Sequence, residues 1–372
     1  MRSMIKRNFP VERISQGSCG YHTYYTHAAF HPTGRYFWYE GRRDGQLKLF
    51  VRDLETGTEE ALPGTDDVAA GRACLNRSGS RLYYLSGADL FAVDFPKAEA
   101  SRQLAKFDGW EELGQPTFCE EDRELFLAAK GSGNWFILAV DAESGRVRTV
   151  GKYPQQICHL QGSPRGSTLM FCDQRGDWCV PQRIWLVEAD GSSLRPLYQQ
   201  RPEDWVTHES WTADGRAVSF ILHPIGFCTI DKDNTNLRLY TPAEGPVETL
   251  IPEEVKQLRR LAVENDYPRP GRAQDTYGVS EAYGKCASWP VLWHVSTSPT
   301  GPWAVADTHQ GEIVLINLES GQMTQIAEKQ LADGKYHPHP AFSPDGRHVY
   351  WARSDSQGTS VVWADVSELV GN

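Results

Sequence analysis

The stretch Phe30-His-Pro-Thr-Gly-Arg-Tyr-Phe-Trp38 decides the fold, because its pattern recurs along the whole chain. An apolar residue is followed by a polar turn with glycine or aspartate, and then by a run of aromatic or β-branched residues. One turn residue of each copy serves as a marker, and the markers stand at positions 34, 79, 122, 166, 215, 301 and 346. Successive markers are 43 to 49 residues apart, except for one step of 86. Because a four-stranded propeller blade takes roughly 40–45 residues, we predict an all-β chain folded as a seven-bladed β-propeller.

The rest of each unit agrees with this architecture. A further apolar run follows each turn, as in Leu47–Val51 and Glu312–Ile316, and a short fourth strand comes after another polar turn. The last unit ends at its third strand, Val361–Asp365, so we expect the segment Lys6–Ile14 to supply the missing outer strand and close the ring. The sequence therefore predicts one propeller domain over residues 1–372.

The long step between markers indicates an insertion of about forty residues in the fifth blade, between about residues 224 and 290. Apolar residues recur at helical spacing in Pro252–Ala262, which predicts a short helix there. A long insertion in a rigid scaffold often covers a binding face. A surface loop without a binding role is an equally good interpretation.

Charge and composition exclude several classes of partner. The formal net charge is −10 and no Lys/Arg run is present, so nucleic acid is not expected to bind. Met1–Ser15 has basic residues but no apolar run, which argues against a signal peptide or membrane anchor. The eight cysteines form no CxxC pair, so we expect reduced thiols and a cytoplasmic protein. An acidic protein that binds an acidic ligand needs local compensation from a metal ion or a few arginines.

The repeat also places a set of polar residues at equivalent positions. Seven residues before each marker lies the predicted start of the innermost strand, which faces the central channel. These seven positions hold His27, Arg72, Gln115, His159, His208, His294 and His339. Five are histidine, although the chain contains only 11 in 372 residues. His337 lies two residues before His339 and so faces the same way. Convergent polar groups at a concave site indicate binding, and we predict a functional site at the channel mouth.

Imidazole is the commonest side-chain ligand for transition metals. His337 and His339 come from one strand and His294 from the preceding blade, so these three residues are the candidate metal ligands. Three histidines with open coordination positions suit Mn²⁺, Zn²⁺, Fe²⁺ or Ni²⁺, and the sequence does not choose among them.

Three segments resemble the oligogalacturonate lyases of polysaccharide lyase family 22. They are Cys158-His-Leu-Gln-Gly-Ser-Pro164 through His208-Glu-Ser-Trp-Thr-Ala-Asp-Gly215, Trp293-His-Val-Ser-Thr-Ser-Pro299, and His337-Pro-His-Pro-Ala-Phe-Ser-Pro-Asp-Gly346. They cover the second half of the chain, while the first three blades match only as generic repeats.

The resemblance implies a seven-bladed propeller that holds Mn²⁺ through three histidines and a glutamine. The histidines fall on His294, His337 and His339, whereas the glutamine position holds Gly334. That coordination position would then go to water, to Gln115 or to the substrate. The histidine that acts as general base falls on His208. An essential arginine, expected to clamp a carboxylate, falls on Arg183.

The activity implied is β-elimination on short oligogalacturonides, which yields unsaturated uronates during pectin degradation. Four ring residues without a family role are expected to contact the acidic substrate: Arg72, Gln115, His159 and His27. One alternative is a lyase for another uronate-containing oligosaccharide, and a second is a non-catalytic binding propeller. A metal-dependent hydrolase would need Glu209 or Asp307 as its base, and strand alternation predicts that Glu209 points away from the ring. The sequence leaves the oligomeric state open.

Overall fold

The computed structural model describes residues 4–16, 20–175, 179–267, 277–330, 337–355 and 358–371. Its strands form seven sheets, one for each sequence repeat. The prediction of a seven-bladed β-propeller is confirmed.

The first three blades come from the N-terminal part of the chain. Blade 1 contains β3 (Tyr36–Arg43), β4 (Gln46–Asp53) and β5 (Glu59–Ala61). Blade 2 contains β6 (Ala73–Leu75), β7 (Arg81–Ser86), β8 (Asp89–Asp94) and β9 (Ser101–Lys106). Blade 3 contains β10 (Glu112–Leu113), β11 (Thr117–Phe118), β12 (Glu124–Gly131), β13 (Asn134–Asp141) and β14 (Val147–Tyr153).

The remaining four blades continue in the same order around the ring. Blade 4 contains β15 (Ile157–Gly162), β16 (Thr168–Asp173), β17 (Ile184–Glu188) and β18 (Arg195–Pro196). Blade 5 contains β19 (Trp205–Trp211), β20 (Ala217–His223), β21 (Gly226–Asp231) and β22 (Arg238–Tyr240). Blade 6 contains β23 (Leu292–Thr297), β24 (Trp303–Thr308), β25 (Ile313–Asn317) and β26 (Met323–Ala327). Blade 7 contains β27 (Ala341–Phe342), β28 (His348–Asp355) and β29 (Gly358–Asp365).

The N-terminal segment closes the ring. Strand β2 (Glu12–Arg13) pairs antiparallel with β29 and becomes the outer strand of blade 7, as the sequence predicted. Strand β1 (Ile5–Lys6) pairs parallel with β26 and adds a fifth strand to blade 6, which the repeat pattern did not indicate. The first residues of the chain therefore join two blades that are distant from them in sequence.

Apolar residues pack between neighbouring sheets. Trp38 and Leu49 of blade 1 share one cluster with Leu82 and Tyr84 of blade 2, and all four are fully buried. Trp351 on blade 7 occupies the corresponding place against blade 6. Burial at these interfaces, which grows with each added blade, is the main force that holds a ring of sheets together.

The insertion begins later than the sequence indicated. Residues from Gly226 to Tyr240 form β21 and β22 of the fifth blade, so the additional residues follow Tyr240. They include α1 (Val247–Leu250), α2 (Glu253–Asp266) and α3 (Val279–Cys286), and α2 confirms the helix predicted from the spacing. A last short helix, α4, spans Ser367–Val370. None of the helices in these described ranges combines the length and apolar character needed to cross a membrane.

Candidate functional site

Three of the five ring histidines share an unusual backbone. His159, His208 and His339 have φ values of 49°, 54° and 50°, a left-handed conformation that residues other than glycine rarely adopt. The pairing of β15 with β16 shifts across His159, and that of β19 with β20 shifts across His208. Such a bulge adds one unpaired residue and redirects its side chain. Backbone strain of this kind is typical of functional sites.

Two of the predicted metal ligands face each other directly. The Nε2 atoms of His294 and His339 are 3.2 Å apart. The other nitrogen of each ring contacts a neighbouring side chain: Nδ1 of His294 lies 3.0 Å from Asp307 Oδ2, and Nδ1 of His339 contacts the hydroxyl of Tyr21. Such outer contacts orient a histidine ligand and leave Nε2 free for a cation.

The distances fit a shared ion. Two imidazole nitrogens that each lie about 2.1 Å from one ion are separated by about 3.0–3.4 Å, depending on the coordination geometry. The ligand atoms of His294, Asp307 and His337 all lie within 4.8 Å of one another, and His337 Nδ1 is buried without a hydrogen-bond partner in the described residues. Burial holds the pKa of His294 and of His339 well below its ordinary value, so both imidazoles are in the neutral form that binds metals. The three predicted ligands thus meet pairwise at His294: His339 faces its Nε2, and His337 belongs with it and Asp307 to one group of close ligand atoms.

Asp307 holds this histidine cluster in place through hydrogen bonds. Its fully buried carboxylate accepts the backbone N–H groups of His294 at 2.7 Å and of His339 at 3.3 Å, in addition to the His294 ring. It therefore fixes both the position of the two strands and the tautomer of one ligand. With all these contacts Asp307 is not free to act as the base of a hydrolase.

His208, the predicted base, lies beside the cluster. Its ring centroid is 4.2 Å from that of His294 and 4.4 Å from that of Trp293. Burial holds the pKa of His208 well below its ordinary value, so the imidazole is neutral. Its Nδ1 has no hydrogen-bond partner among the described residues. A neutral imidazole with an uncommitted nitrogen can accept a proton.

Arg183 lies deeper than its expected role requires. Its side chain is 2% exposed, and its Nε bonds to Glu209, which is itself fully buried. Cys172 Sγ lies 2.7 Å from the same carboxylate, and His159 Nδ1 lies 3.7 Å from it. Burial alone would raise the pKa of Glu209, but the Arg183 charge and His159 hold it well below its ordinary value. The Arg183 guanidinium is thus buried and held by Glu209, and its expected role as a direct carboxylate clamp stays a prediction.

Glu209 also corrects a prediction from strand alternation. The alternation predicted that its side chain points away from the ring, yet its carboxylate lies beside Arg183 and the ring residue His159. The register shift between Thr207 and Ser210 interrupts the alternation at this point. Because Glu209 is bound by an arginine and fully buried, it is not available as a hydrolytic base either.

A cavity of about 700 Å³ opens next to the histidine cluster. Its lining includes the four predicted substrate-contacting residues: His27, Arg72, Gln115 and His159. A volume of this size is typical of small-molecule sites. Two of the four have polar atoms already bound by the protein: His27 Nε2 lies 3.2 Å from the Pro116 carbonyl, and Gln115 Nε2 donates to the Ala73 carbonyl at 2.8 Å. Gly334, where the family has its glutamine ligand, lies outside the described residues.

Two tyrosines of the site were missed by the sequence reasoning. Tyr21 and Tyr24 line the cavity, and the Tyr24 ring centroid lies 4.9 Å from that of His339 and 5.2 Å from that of His159. Both belong to the aromatic run that ends at the ring residue His27. Their proximity to that position was the available signal.

Fold and site together define a class: a seven-bladed propeller with a candidate three-histidine metal centre beside a ligand-sized cavity. No family model matches the chain. Oligogalacturonate lyase from Dickeya dadantii is 23% identical over 376 residues, which span 91% of this chain and 88% of that protein. Oligogalacturonide lyase from Pectobacterium atrosepticum is 26% identical over 245 residues, or 63% of this chain and 56% of that protein.

The fold comparison agrees. A solved structure of oligogalacturonate lyase in complex with manganese superimposes with a TM-score of 0.75 at 17% identity, and the match covers 96% of this chain and 93% of that one. The resemblance to oligogalacturonate lyases that the sequence indicated is confirmed by these findings.

Proposed function

We propose that the protein is a metal-dependent lyase that cleaves short oligogalacturonides by β-elimination. The observation that carries the proposal is the pair of Nε2 atoms of His294 and His339, 3.2 Å apart, with the neutral His208 ring beside them. The relatives named as oligogalacturonate lyases support the substrate class. The manganese complex of a protein with the same fold supports Mn²⁺ as the metal, held by His294, His337 and His339.

A divalent cation at these ligands supplies positive charge beside the uronate carboxylate, which makes the C5 proton more acidic. His208 then removes the C5 proton, and the electron pair of that C–H bond forms the C4–C5 double bond. The C4–O bond breaks, and the departing oxygen keeps its electron pair and takes up a proton. The products are an unsaturated uronate and a shortened sugar, and no water is consumed.

Arg183 acts in this proposal through Glu209. Its buried charge keeps Glu209 ionised, and Glu209 in turn lies beside His159 at the cavity wall. Burial lowers the pKa of His159, but Cys158 and Tyr24 outweigh that effect and raise it well above its ordinary value. His159 lines the cavity wall, where its imidazole can contact an acidic sugar.

Arg72, Gln115, His159 and His27 are proposed to contact the sugar chain, since all four line the cavity next to the histidine cluster. We further propose that the enzyme works in the cytoplasm. Cysteines 74, 119, 158, 172, 179, 228 and 286 are all free thiols in the described chain, which suits a reducing compartment.

The direct test follows the ultraviolet absorbance of the double bond conjugated to the carboxylate. Metal-free protein is incubated with digalacturonate, trigalacturonate and other uronate dimers, with and without added Mn²⁺. Metal-dependent absorbance with the galacturonate substrates supports the proposal. Absorbance only with another uronate would redirect it to that sugar, and no absorbance with any of them would favour a non-catalytic binding propeller.

A paired variant tests the base. His208→Ala should reduce turnover by about 10²-fold or more, which is the lower end of what a general base contributes. His31→Ala, on an exposed turn of blade 1, serves as the matched control and should leave the rate unchanged. Full activity of the His208 variant would remove this residue from the mechanism.

A further inference from the structure

The cavity extends from the histidine cluster toward blade 2. The predicted metal ligands His294, His337 and His339 do not line it, whereas Tyr21 and Tyr24 line it and also contact His339. On the far side the lining includes Glu40, Gly71 and Arg72. A ligand that fills the cavity therefore extends from Tyr21 and Tyr24, which contact the predicted metal ligand His339, to the inner edge of blade 2.

Arg72 is distinguished from the other arginines near the channel by what it contacts. Arg183 is bound to Glu209, and Arg77 donates to the carbonyls of Phe118, Cys119 and Gly162. Arg42 is exposed and donates to the Gly45 carbonyl. Arg72 is half-buried in the cavity wall, and its guanidinium has neither a hydrogen bond nor an ion pair in the described part of the chain.

Glu40, an acidic residue near Arg72, does not bond to its guanidinium. Both carboxylate oxygens of Glu40 accept the backbone N–H of Gly71, at 3.1 and 3.0 Å, so Glu40 holds the turn that presents Arg72. Burial raises the pKa of Glu40 to about 7, which leaves this carboxyl only partly ionised near neutral pH. Glu40 therefore compensates the positive charge of Arg72 only in part. The remaining charge can attract an anionic ligand, in a protein whose formal net charge is −10.

We propose that Arg72 binds the carboxylate of the second uronate, the sugar joined to the one that reacts. The inference rests on the proposed function, which requires two linked sugars for a bond to be broken. The planar guanidinium suits a carboxylate because it can donate two parallel hydrogen bonds. Arg72 would then select substrates in which both neighbouring sugars are acidic.

A binding measurement on a catalytically inactive variant tests this inference independently of the proposed reaction. Digalacturonate and its mono-methyl ester, in which the carboxylate of the non-reacting sugar is neutral, are titrated by calorimetry into manganese-loaded His208→Ala protein. We expect the acid to bind about 10- to 100-fold more tightly than the ester, the range for one charge-assisted carboxylate contact. With Arg72→Gln added, the acid should bind as weakly as the ester, and Arg72→Lys should recover part of the difference.

Arg102→Gln is the matched control, because Arg102 is an exposed arginine on the outer strand of the same blade and contacts only the Glu143 carbonyl. It should preserve the preference for the acid. If Arg72→Gln also preserves that preference, the inference is overturned even when the protein is a lyase. Binding with the predicted preference but no product from the wild type would overturn the lyase and leave Arg72 as an acid-binding residue, and no binding at all would overturn both.

Discussion

His294 and His339 hold two Nε2 atoms 3.2 Å apart while Asp307 and Tyr21 occupy their Nδ1 atoms. With Nδ1 donating to the Asp307 carboxylate, the His294 Nε2 carries a bare lone pair that points at a neighbouring ring nitrogen. A cation shared by both rings would stabilise this arrangement. The strain at His339, whose φ is 50°, is of the order of 1–3 kcal/mol and must be offset by such contacts.

The metal ligands can be tested one at a time. His337→Ala should lower Mn²⁺ affinity by about tenfold or more, because it removes one of three imidazole ligands while the His294–His339 pair remains. Calorimetric titration of the metal-free protein with Mn²⁺ measures this. His348→Ala on the same blade, where the imidazole stacks on Trp363, is the control. Equal Mn²⁺ affinity of the His337 variant and the wild type would refute the site.

The buried Arg183–Glu209 pair predicts a loss of stability. Glu209→Gln leaves Arg183 as an uncompensated buried charge, and the free energy of unfolding should fall by about 3 kcal/mol at pH 7. The pKa of Glu209 is lowered in the folded protein, so its contribution is complete above the ordinary carboxyl value of 4.5, begins to fall below that pH, and is gone only once the pH drops through the much lower folded-state pKa. Urea unfolding at pH 7 and pH 4 should show a smaller difference at pH 4.

Glu143→Gln, which removes an exposed partner of Arg81, is the control for this measurement. Its effect should stay within about 1 kcal/mol, as for other exposed ion pairs. An equally small effect of Glu209→Gln at pH 7 would contradict the role given to the buried pair.

The positions of the ring histidines could be predicted from the sequence because one repeat length fixes where every innermost strand begins. The orientation of Glu209 and the depth of Arg183 could not. Both depend on the bulge at His208, which shifts strand pairing by one residue and leaves no mark in the apolar pattern. Asp307 was considered only as a base, because its bonds to two backbone N–H groups require the folded strands.

Among the individual elements, the insertion is the one whose hydrogen bonds most clearly support the site. Arg259 on α2 is 1% exposed and donates to the carbonyls of Val180 and Pro202. Gln200 also donates to Val180 and accepts the backbone N–H of Arg183. Through these bonds α2 supports the segments that lead into Arg183 and His208. The helix itself could be predicted from its spacing, but its contacts could not, because they join residues about eighty positions apart.

Arg259→Met should therefore lower the free energy of unfolding by about 1.5–3 kcal/mol, since charged hydrogen bonds to two buried carbonyls are lost. It should also speed hydrogen exchange at the Arg183 amide. Thermal unfolding and exchange measured by mass spectrometry check the two effects.

The neighbouring Arg260→Gln, which loses partly exposed pairs with Glu253 and Glu203, is the control. Unchanged exchange at Arg183 in the Arg259 variant would show that the insertion does not support the site.

At the scale of the whole molecule, closure of the ring depends on the N-terminal segment. Removing residues 1–8 deletes β1 from blade 6, which keeps four strands, and should have a small effect on stability. Removing residues 1–16 also deletes β2 and exposes the edge of β29, so we expect a clearly lower unfolding temperature and aggregation. Calorimetry with light scattering compares the two, and equal behaviour of both truncations would contradict closure by β2.

The overall fold was the part most open to prediction, because seven copies of one pattern specify seven similar sheets. The additional strand β1 could not be predicted, since a two-residue exposed strand carries no apolar pattern. The substrate is a property of the assembled cavity, to which blades 1 to 4 and blade 7 contribute, and so it follows from no single repeat.

The central claim is that the protein cleaves its substrate by elimination and not by hydrolysis. The most direct test is whether oxygen from water enters the products. Trigalacturonate is incubated with the manganese-loaded protein in ¹⁸O-water, and the products are weighed by mass spectrometry after brief reaction. Elimination predicts one unsaturated product, lighter by one water than the hydrolysis product, and no water-derived ¹⁸O at the cleaved bond in either fragment. Saturated products that carry ¹⁸O there would identify a hydrolase and contradict the account.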